Sequence, residues 1–315
     1  MINRELRKNF ARHIGWFFLR IFTVINGSFS LKWSYALGKS LGNFACAVIP
    51  RQRKIADESL ETAFPCMTPK ERKKITRNFF VFMAQSAFEL LYFLRHTDKL
   101  QGIEIRGKKN LDEALKEKTG IILITAHMGN FPLMSLKLAK EGYKVNFVTR
   151  PMRDEQAGDY LFNLRENAGV KSIFSYPRKE CIAGILKALR NNEIVIMQMD
   201  QNFGSTGVWV KFFGRLAATP VGPITLGMRT GAKLVPAYIY REGFNKHCIE
   251  ILPAEPLIET ENKDETILKN TIKFSRIIES WVKEYPEQWG WIHRRWKSQP
   301  PQGLKASQFK VESDS

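Results

Sequence analysis

Gly120-Ile-Ile-Leu-Ile-Thr-Ala-His127-Met-Gly-Asn130-Phe-Pro132-Leu-Met134 changes its period within one short stretch. Ile121 to Thr125 is an apolar, β-branched run of strand length, the pattern of a strand buried on both faces. Met128-Gly129-Asn130 has the composition of a turn. Pro132 is tolerated in the first turn of a helix, which the pattern then carries through Leu133 to Lys140. Open α/β sheets gather their functional groups at the carboxyl ends of strands, and His127 falls there, close to helix N-terminal amides that can stabilise an anion. On spacing alone, a catalytic histidine and a structural one both fit.

Working outward, the same alternation recurs. Ile103–Arg106, Gly120–Thr125, Val145–Thr149, Glu193–Gln198, Val208–Phe212, Lys233–Tyr240 and Cys248–Leu252 are strand candidates. Asn110–Lys116, Leu133–Lys140, Gly158–Asn167, Glu180–Asn191 and Thr266–Glu284 are helix candidates. This order predicts an α/β fold with a mixed, largely parallel sheet flanked by helices. Before residue 102 the chain reads as mostly helical: Leu6–Val48, a basic break at Arg51–Lys54, an amphipathic helix Ile55–Phe64, and a long helix towards Leu94. Thr68-Pro-Lys-Glu71 opens the long helix with a capping-box signature. Glu89, on its apolar run, is either a buried partner for an arginine or exposed.

The 315 residues carry a formal charge of +18. So much self-repulsion implies an anionic partner or surface. Ten basic residues stand against the single acid Glu5 between Met1 and Lys54, interleaved with Trp16, Phe17, Phe18, Ile21 and Phe22. That is the composition of a segment at a membrane interface. Residues 1–54 are therefore expected to form an N-terminal helical membrane-associating region, 55–299 the α/β domain and 300–315 a mobile tail. The uncharged runs Ile21–Leu31 and Ser40–Pro50 are short for a spanning helix, which needs about 20 residues. No zinc-finger or RNA-recognition pattern accompanies the charge, so nucleic acid is not the expected partner. Cys46, Cys66, Cys181 and Cys248 are scattered without metal-ligand spacing, as for reduced cysteines in a cytosol-facing protein.

Ala-His127-Met-Gly-Asn-Phe131 resembles the first motif of the lysophospholipid acyltransferase superfamily, in its lipid A biosynthesis (late) acyltransferase branch and the related phosphatidylinositol mannoside acyltransferases. Val148-Thr-Arg-Pro-Met152, Met199-Asp-Gln201, Val208-Trp-Val-Lys-Phe-Phe-Gly214 with Ala218-Thr-Pro220, and Pro286-Glu-Gln-Trp-Gly-Trp-Ile-His-Arg-Arg-Trp-Lys297 follow in the order of that branch. The resemblance runs from about Trp33 to Pro300 and implies a glycerolipid acyltransferase-like fold.

It also implies an enzyme that moves a fatty acyl chain from a thioester to a hydroxyl of a membrane glycolipid or phospholipid, with a lipid A-type acceptor favoured and His127 as general base. The cosubstrate would be an acyl-carrier-protein thioester, or else acyl-CoA, with no bound cofactor or metal. The partners would be anionic membrane lipids, acyl carrier protein and the lipid acceptor. The place would be the cytoplasmic face of the bacterial inner membrane, peripherally or with one N-terminal membrane segment. Gly129, Asn130, Phe213, Gly214, Thr219 and Pro220 fall in segments that bind substrate in the family. Arg150 would stabilise the oxyanion or grip a headgroup phosphate.

One departure is chemically serious. Family members carry an acid five positions after the histidine, where this chain has Pro132. Losing the acid that orients a catalytic histidine costs about 10⁴ in rate in a serine-protease triad. Three readings follow: Asp200, behind the strand Glu193–Gln198, replaces the acid; a backbone carbonyl or the Asn130 side chain does so; or the chain is a catalytically silent lipid-binding or scaffold protein. The tryptophans and basic residues of 289–297 would form either a membrane-surface edge or part of the core.

Overall fold

In the computed structural model, which describes residues 30–152 and 154–301, nine strands and nine helices are arranged around one main sheet. The expectations for residues 1–29 and for the tail beyond 301 lie outside the described residues.

Three helices come first: α1 (Leu31–Val48), α2 (Pro50–Ala63) and α3 (Pro69–Arg95). The basic break expected at Arg51–Lys54 is helical instead, because Pro50 ends α1 and occupies the first position of α2. The charged run is the exposed start of a helix that buries Ile55, Ala56, Leu60 and Ala63. The boundary drawn at residue 54 therefore falls within α2. The capping box of α3 forms as expected: the Glu71 amide donates to Thr68 Oγ1 at 3.3 Å, and the Thr68 amide donates to Glu71 Oε2 at 2.8 Å.

The alternating part of the chain gives β1 (Glu104–Arg106), α4 (Lys108–Lys116), β2 (Ile121–Thr125), α5 (Phe131–Lys140), β3 (Val145–Thr149), α6 (Glu155–Asn167), β4 (Val170–Phe174), α7 (Arg178–Arg190) and β5 (Ile194–Gln198). There follow the hairpin β6 (Val208–Phe212) and β7 (Arg215–Thr219), then α8 (Gly222–Thr230), β8 (Lys233–Gly243), β9 (Lys246–Ile251) and α9 (Lys263–Glu284). The main sheet has the order β1-β9-β8-β2-β5-β3-β4. From β8 to β4 all neighbours are parallel, and β9 pairs antiparallel to β8. The fold is thus the expected mixed α/β one.

Strand β2 lies between β8 and β5 and is buried along its whole length. Ile122 and Ile124 feed a core with Leu60 of α2, Phe79 of α3, Ile185 of α7 and Phe274 of α9. Ile121 and Leu123 feed the opposite core, with Leu111 of α4, Leu133 of α5 and Phe93 of α3. The continuous apolar run therefore reflects helical cover on both faces.

Helix α1 lies close against α3. A Cβ on Gly42 would stand 2.5 Å from Val81 Cα, so only a glycine permits this approach of two backbones. Gly42→Val is expected to lower stability by about 1–3 kcal/mol, through forced separation of α1 from α3. Leu41→Ser, at an exposed position of the same helix, should change it by no more than about 0.5 kcal/mol. Urea-unfolding midpoints check both.

Candidate active site

Strands β2 and β5 are parallel neighbours with Thr125 opposite Gln198. Two residues beyond each of these ends stand His127 and Asp200, and Met199 N donates to Thr125 O at 3.1 Å, which continues the pairing past the strands. Strand register therefore brings the two side chains together. His127 Nδ1 lies 2.8 Å from Asp200 Oδ1, and the His127 backbone amide donates to Asp200 Oδ2 at 2.8 Å. Trp289 Nε1 donates to the same Oδ2 at 2.8 Å.

A carboxylate only accepts, so the proton of a neutral His127 sits on Nδ1 and Nε2 presents its lone pair. Asp200 is fully buried, and burial alone would raise its pKa. The charge and hydrogen bonds of His127, with His293 adding to them, outweigh burial and hold the group well below the usual carboxylate range.

Two rings flank the imidazole edge-on, Phe131 with a centroid separation of 5.1 Å and His293 at 4.8 Å. Burial pushes His293 down to about 4, with Asp200 opposing and His127 adding to the shift. The loop that carries His127 is strapped by the C-terminal segment. Met128 bridges Trp289, the Gly129 amide donates to Gln288 O at 2.9 Å, and the Gly290 amide donates to His127 O at 3.1 Å. At Gly129, with φ +59°, a Cβ would lie 1.8 Å from Ile239 O. The turn needs glycine for both conformation and space.

A second buried cluster supports the loop from behind. Glu89 accepts from Asn130 Nδ2 at 3.1 Å, pairs with His247 Nε2 at 2.8 Å and forms an ion pair with Arg241 at 3.2 Å. The Asn130 amide also donates to Ser86 O at 2.9 Å. Gln288 receives the Arg241 amide and donates to its carbonyl, both at 2.9 Å. Glu89 is thus the buried partner of an arginine. The Asn130 side chain is spent on Glu89 and Ser86, so it does not orient His127.

The remaining predicted residues fall in different places. Arg150 follows β3 and is exposed. Thr219 is buried, donates to Ala217 O and accepts from Arg295 Nη2, which gives it a supporting place inside the protein. Phe213 and Gly214, at φ 52° and 73°, form the turn between β6 and β7. The Phe213 ring packs on Phe64, and its amide donates to Glu279 Oε2 at 2.7 Å. Pro220 follows β7, half-buried.

The alternative of a membrane-surface edge at 289–297 is corrected by burial. Trp289, Trp291, Trp296 and Arg295 lie within the protein. Arg295 donates to Ala218 O at 2.5 Å and Gln201 O at 3.3 Å, so it ties the hairpin to the residue after Asp200. Burial brings its guanidinium down to about 10, against an opposing pull from Asp200.

Sequence reasoning did not single out three further residues. Trp289 and His293 were read only as members of an aromatic, basic segment, and no spacing rule joins them to a histidine so far away in sequence. Arg165 stands over the Phe147 ring at 5.4 Å; Phe147 stacks on Phe131 at 6.0 Å, and Phe131 touches His127. Burial lowers the Arg165 guanidinium, and among the described residues no acidic side chain forms an ion pair with it.

His127, Asp200 and His293 bring ligand atoms within 4.8 Å of one another. Both Asp200 oxygens are already engaged, Oδ1 by the His127 ring and Oδ2 by the His127 amide and Trp289 Nε1.

The chain matches the bacterial lipid A biosynthesis acyltransferase family over residues 4–298. It is 28% identical over 274 residues to the lipid A biosynthesis lauroyltransferase of Escherichia coli strain K12, covering 84% of this chain and 86% of the relative. The palmitoleoyltransferase of the same strain is 26% identical over 272 residues, covering 84% and 85%. A phosphatidylinositol mannoside acyltransferase of Mycobacterium tuberculosis is 30% identical over 140 residues, covering 44% of each chain.

A histidine with its pKa lowered from about 6.5 subtracts stability as pH falls, because the unfolded chain takes up the proton first. For His293 that loss runs from about pH 6.5 to about 4. His293→Gln should flatten the decline of stability across this window by on the order of 1–3 kcal/mol. Urea midpoints measured against pH test this, and an unchanged slope would contradict it.

Proposed function

Because the chain belongs to the bacterial lipid A biosynthesis acyltransferase family and is an acyltransferase, we propose that the His127–Asp200 dyad is its reactive centre. The dyad transfers a fatty acyl chain from a carrier thioester to a hydroxyl of a lipid A-type acceptor. The observation that carries this reading is the 2.8 Å contact between His127 Nδ1 and the buried Asp200 carboxylate. It supplies the orienting acid that Pro132 removes from the motif.

In the reaction, His127 Nε2 takes the proton of the acceptor hydroxyl as its oxygen attacks the thioester carbonyl carbon. Asp200 steadies the imidazolium that forms. Collapse of the tetrahedral intermediate breaks the carbon–sulfur bond, and the proton on Nε2 passes to the leaving thiolate. The products are an ester and a free thiol, and no redox change occurs.

The relatives named as a lipid A biosynthesis lauroyltransferase and a lipid A biosynthesis palmitoleoyltransferase support the acceptor class. The +18 charge suits an acidic acyl carrier protein and anionic coenzyme A alike, and the family resemblance favours the carrier protein as donor. Arg150, exposed after β3, and Arg165, an uncompensated cation two rings from His127, are suited to phosphates of the acceptor headgroup. Gly129, Phe213, Gly214 and Pro220 are the backbone and apolar positions proposed to border the substrates. The enzyme would work at the cytoplasmic face of the bacterial inner membrane.

His127→Ala is expected to lower kcat by about 10²–10⁴. Asp200→Asn should do so by a similar factor with KM little changed, because it removes orientation and not binding. Steady-state assays with an acyl-carrier-protein thioester and a lipid A precursor measure both, and full turnover in His127→Ala would sink the reading. Arg165→Ala is expected to raise KM for the phosphorylated acceptor about tenfold or more, in the same assay.

A further inference from the structure

Helix α1 has two unlike faces. Its inner face, with Ser34, Tyr35, Gly38 and Gly42, is buried against α3. That contact is fixed by Gln85 Nε2, which donates to Tyr35 O at 3.2 Å, and by Arg77 Nε, which donates to Asn43 Oδ1 at 2.6 Å; from α2, Arg53 Nη1 donates to Cys46 O at 2.7 Å. The helix cannot roll over to hide its other side. On that outer side Trp33, Leu37, Leu41, Phe44 and Val48 recur at intervals of three and four residues and are all exposed, Trp33 by 66% and Phe44 by 62%. Ile49 continues the stripe beyond the helix.

A contiguous exposed row of large apolar side chains marks a surface that is covered in use. Its charges select the cover. Lys32, Lys39 and Arg51 are exposed along and beyond the stripe, and α1 contains no acidic residue; the next cation, Lys54, pairs with Glu58 of α2 at 3.7 Å. An apolar helix face whose own charges are all cationic fits an anionic lipid surface. No helix of the described residues is long and apolar enough to cross a membrane, so such a helix lies along the surface and not across it.

We propose that the outer face of α1 is the seat on which the protein rests at an anionic bilayer, with Trp33, Leu37, Leu41 and Phe44 sunk among the acyl chains. This rests on the reading that the acceptor is a membrane lipid, and it says which face meets that membrane. The seat is rigidly linked to chemistry. Helix α1 is locked on α3, and α3 carries Glu89, which holds Asn130 beside His127. The fold itself therefore sets the height of the dyad above the lipid.

The test uses the full chain and vesicles of phosphatidylethanolamine and phosphatidylglycerol, with and without brominated acyl chains. Brominated vesicles should quench tryptophan fluorescence more in the wild type than in Trp33→Phe. The triple variant Leu37→Ser, Leu41→Ser, Phe44→Ser should bind vesicles at least tenfold more weakly and keep its turnover on detergent-dispersed acceptor. Equal fractional quenching in wild type and Trp33→Phe would overturn the proposal. So would a wild-type dimer, found without lipid, that the triple variant converts to monomer, since a second copy would then own this face. Absence of turnover in detergent for the wild type would instead count against the acyltransfer reading, so the two failures are distinguishable.

Discussion

The register between β2 and β5 is the constraint on which the site depends. With Thr125 opposite Gln198, the positions two residues onward face each other, and these are His127 and Asp200. A slip of one residue would turn alternate side chains to the other face of the sheet and separate the pair. That register is specified by two cores, because Ile121 and Leu123 belong to one and Ile122 and Ile124 to the other. The packing that makes β2 an unbroken apolar run thus also positions an ionised carboxylate against an imidazole.

A buried carboxylate needs donors, and they come from distant parts of the chain. His127 supplies two and Trp289 the third. Trp289 is held in place because its segment pairs with the His127 loop, while Arg295, a few residues on, clamps Gln201 and the β6–β7 hairpin. Behind the loop, Glu89 gathers Asn130, His247 and Arg241, and Gln288 closes the circuit between Arg241 and Gly129. Charges in this region are paired or hydrogen-bonded, as burial demands. The site is consequently anchored on three sides, by α3, by β5 and by the C-terminal strap.

Much of this was readable in the sequence where local physics dominates. The strand at Ile121–Thr125, the capping box at Thr68 and the mixed α/β order follow from periodicity and caps. Asp200 was reachable because adjacent strands of a parallel sheet end at one edge. Elements whose sequence carries little local signal were missed. Strand β4, Val-Lys-Ser-Ile-Phe, lies at a sheet edge and is only partly buried; β7, Arg-Leu-Ala-Ala-Thr, is built on small residues; α8 carries two glycines and a proline. Their form is set by tertiary packing, which overrides weak propensity. The place of His293 beside His127 was likewise hidden, since it depends on a strap formed only once the sheet exists.

The central claim is that Asp200 fixes His127 as an Nδ1–H tautomer with Nε2 free to accept a proton. Nitrogen-15 and proton NMR of the imidazole groups at neutral pH, with the His127 signals assigned by comparison with His127→Gln, reads that tautomer directly. The account predicts a protonated Nδ1 whose proton resonates at low field and loses that shift in Asp200→Asn, together with an unprotonated Nε2. A His127 protonated on Nε2 and bare at Nδ1, or one whose signals do not respond to Asp200→Asn, would contradict it.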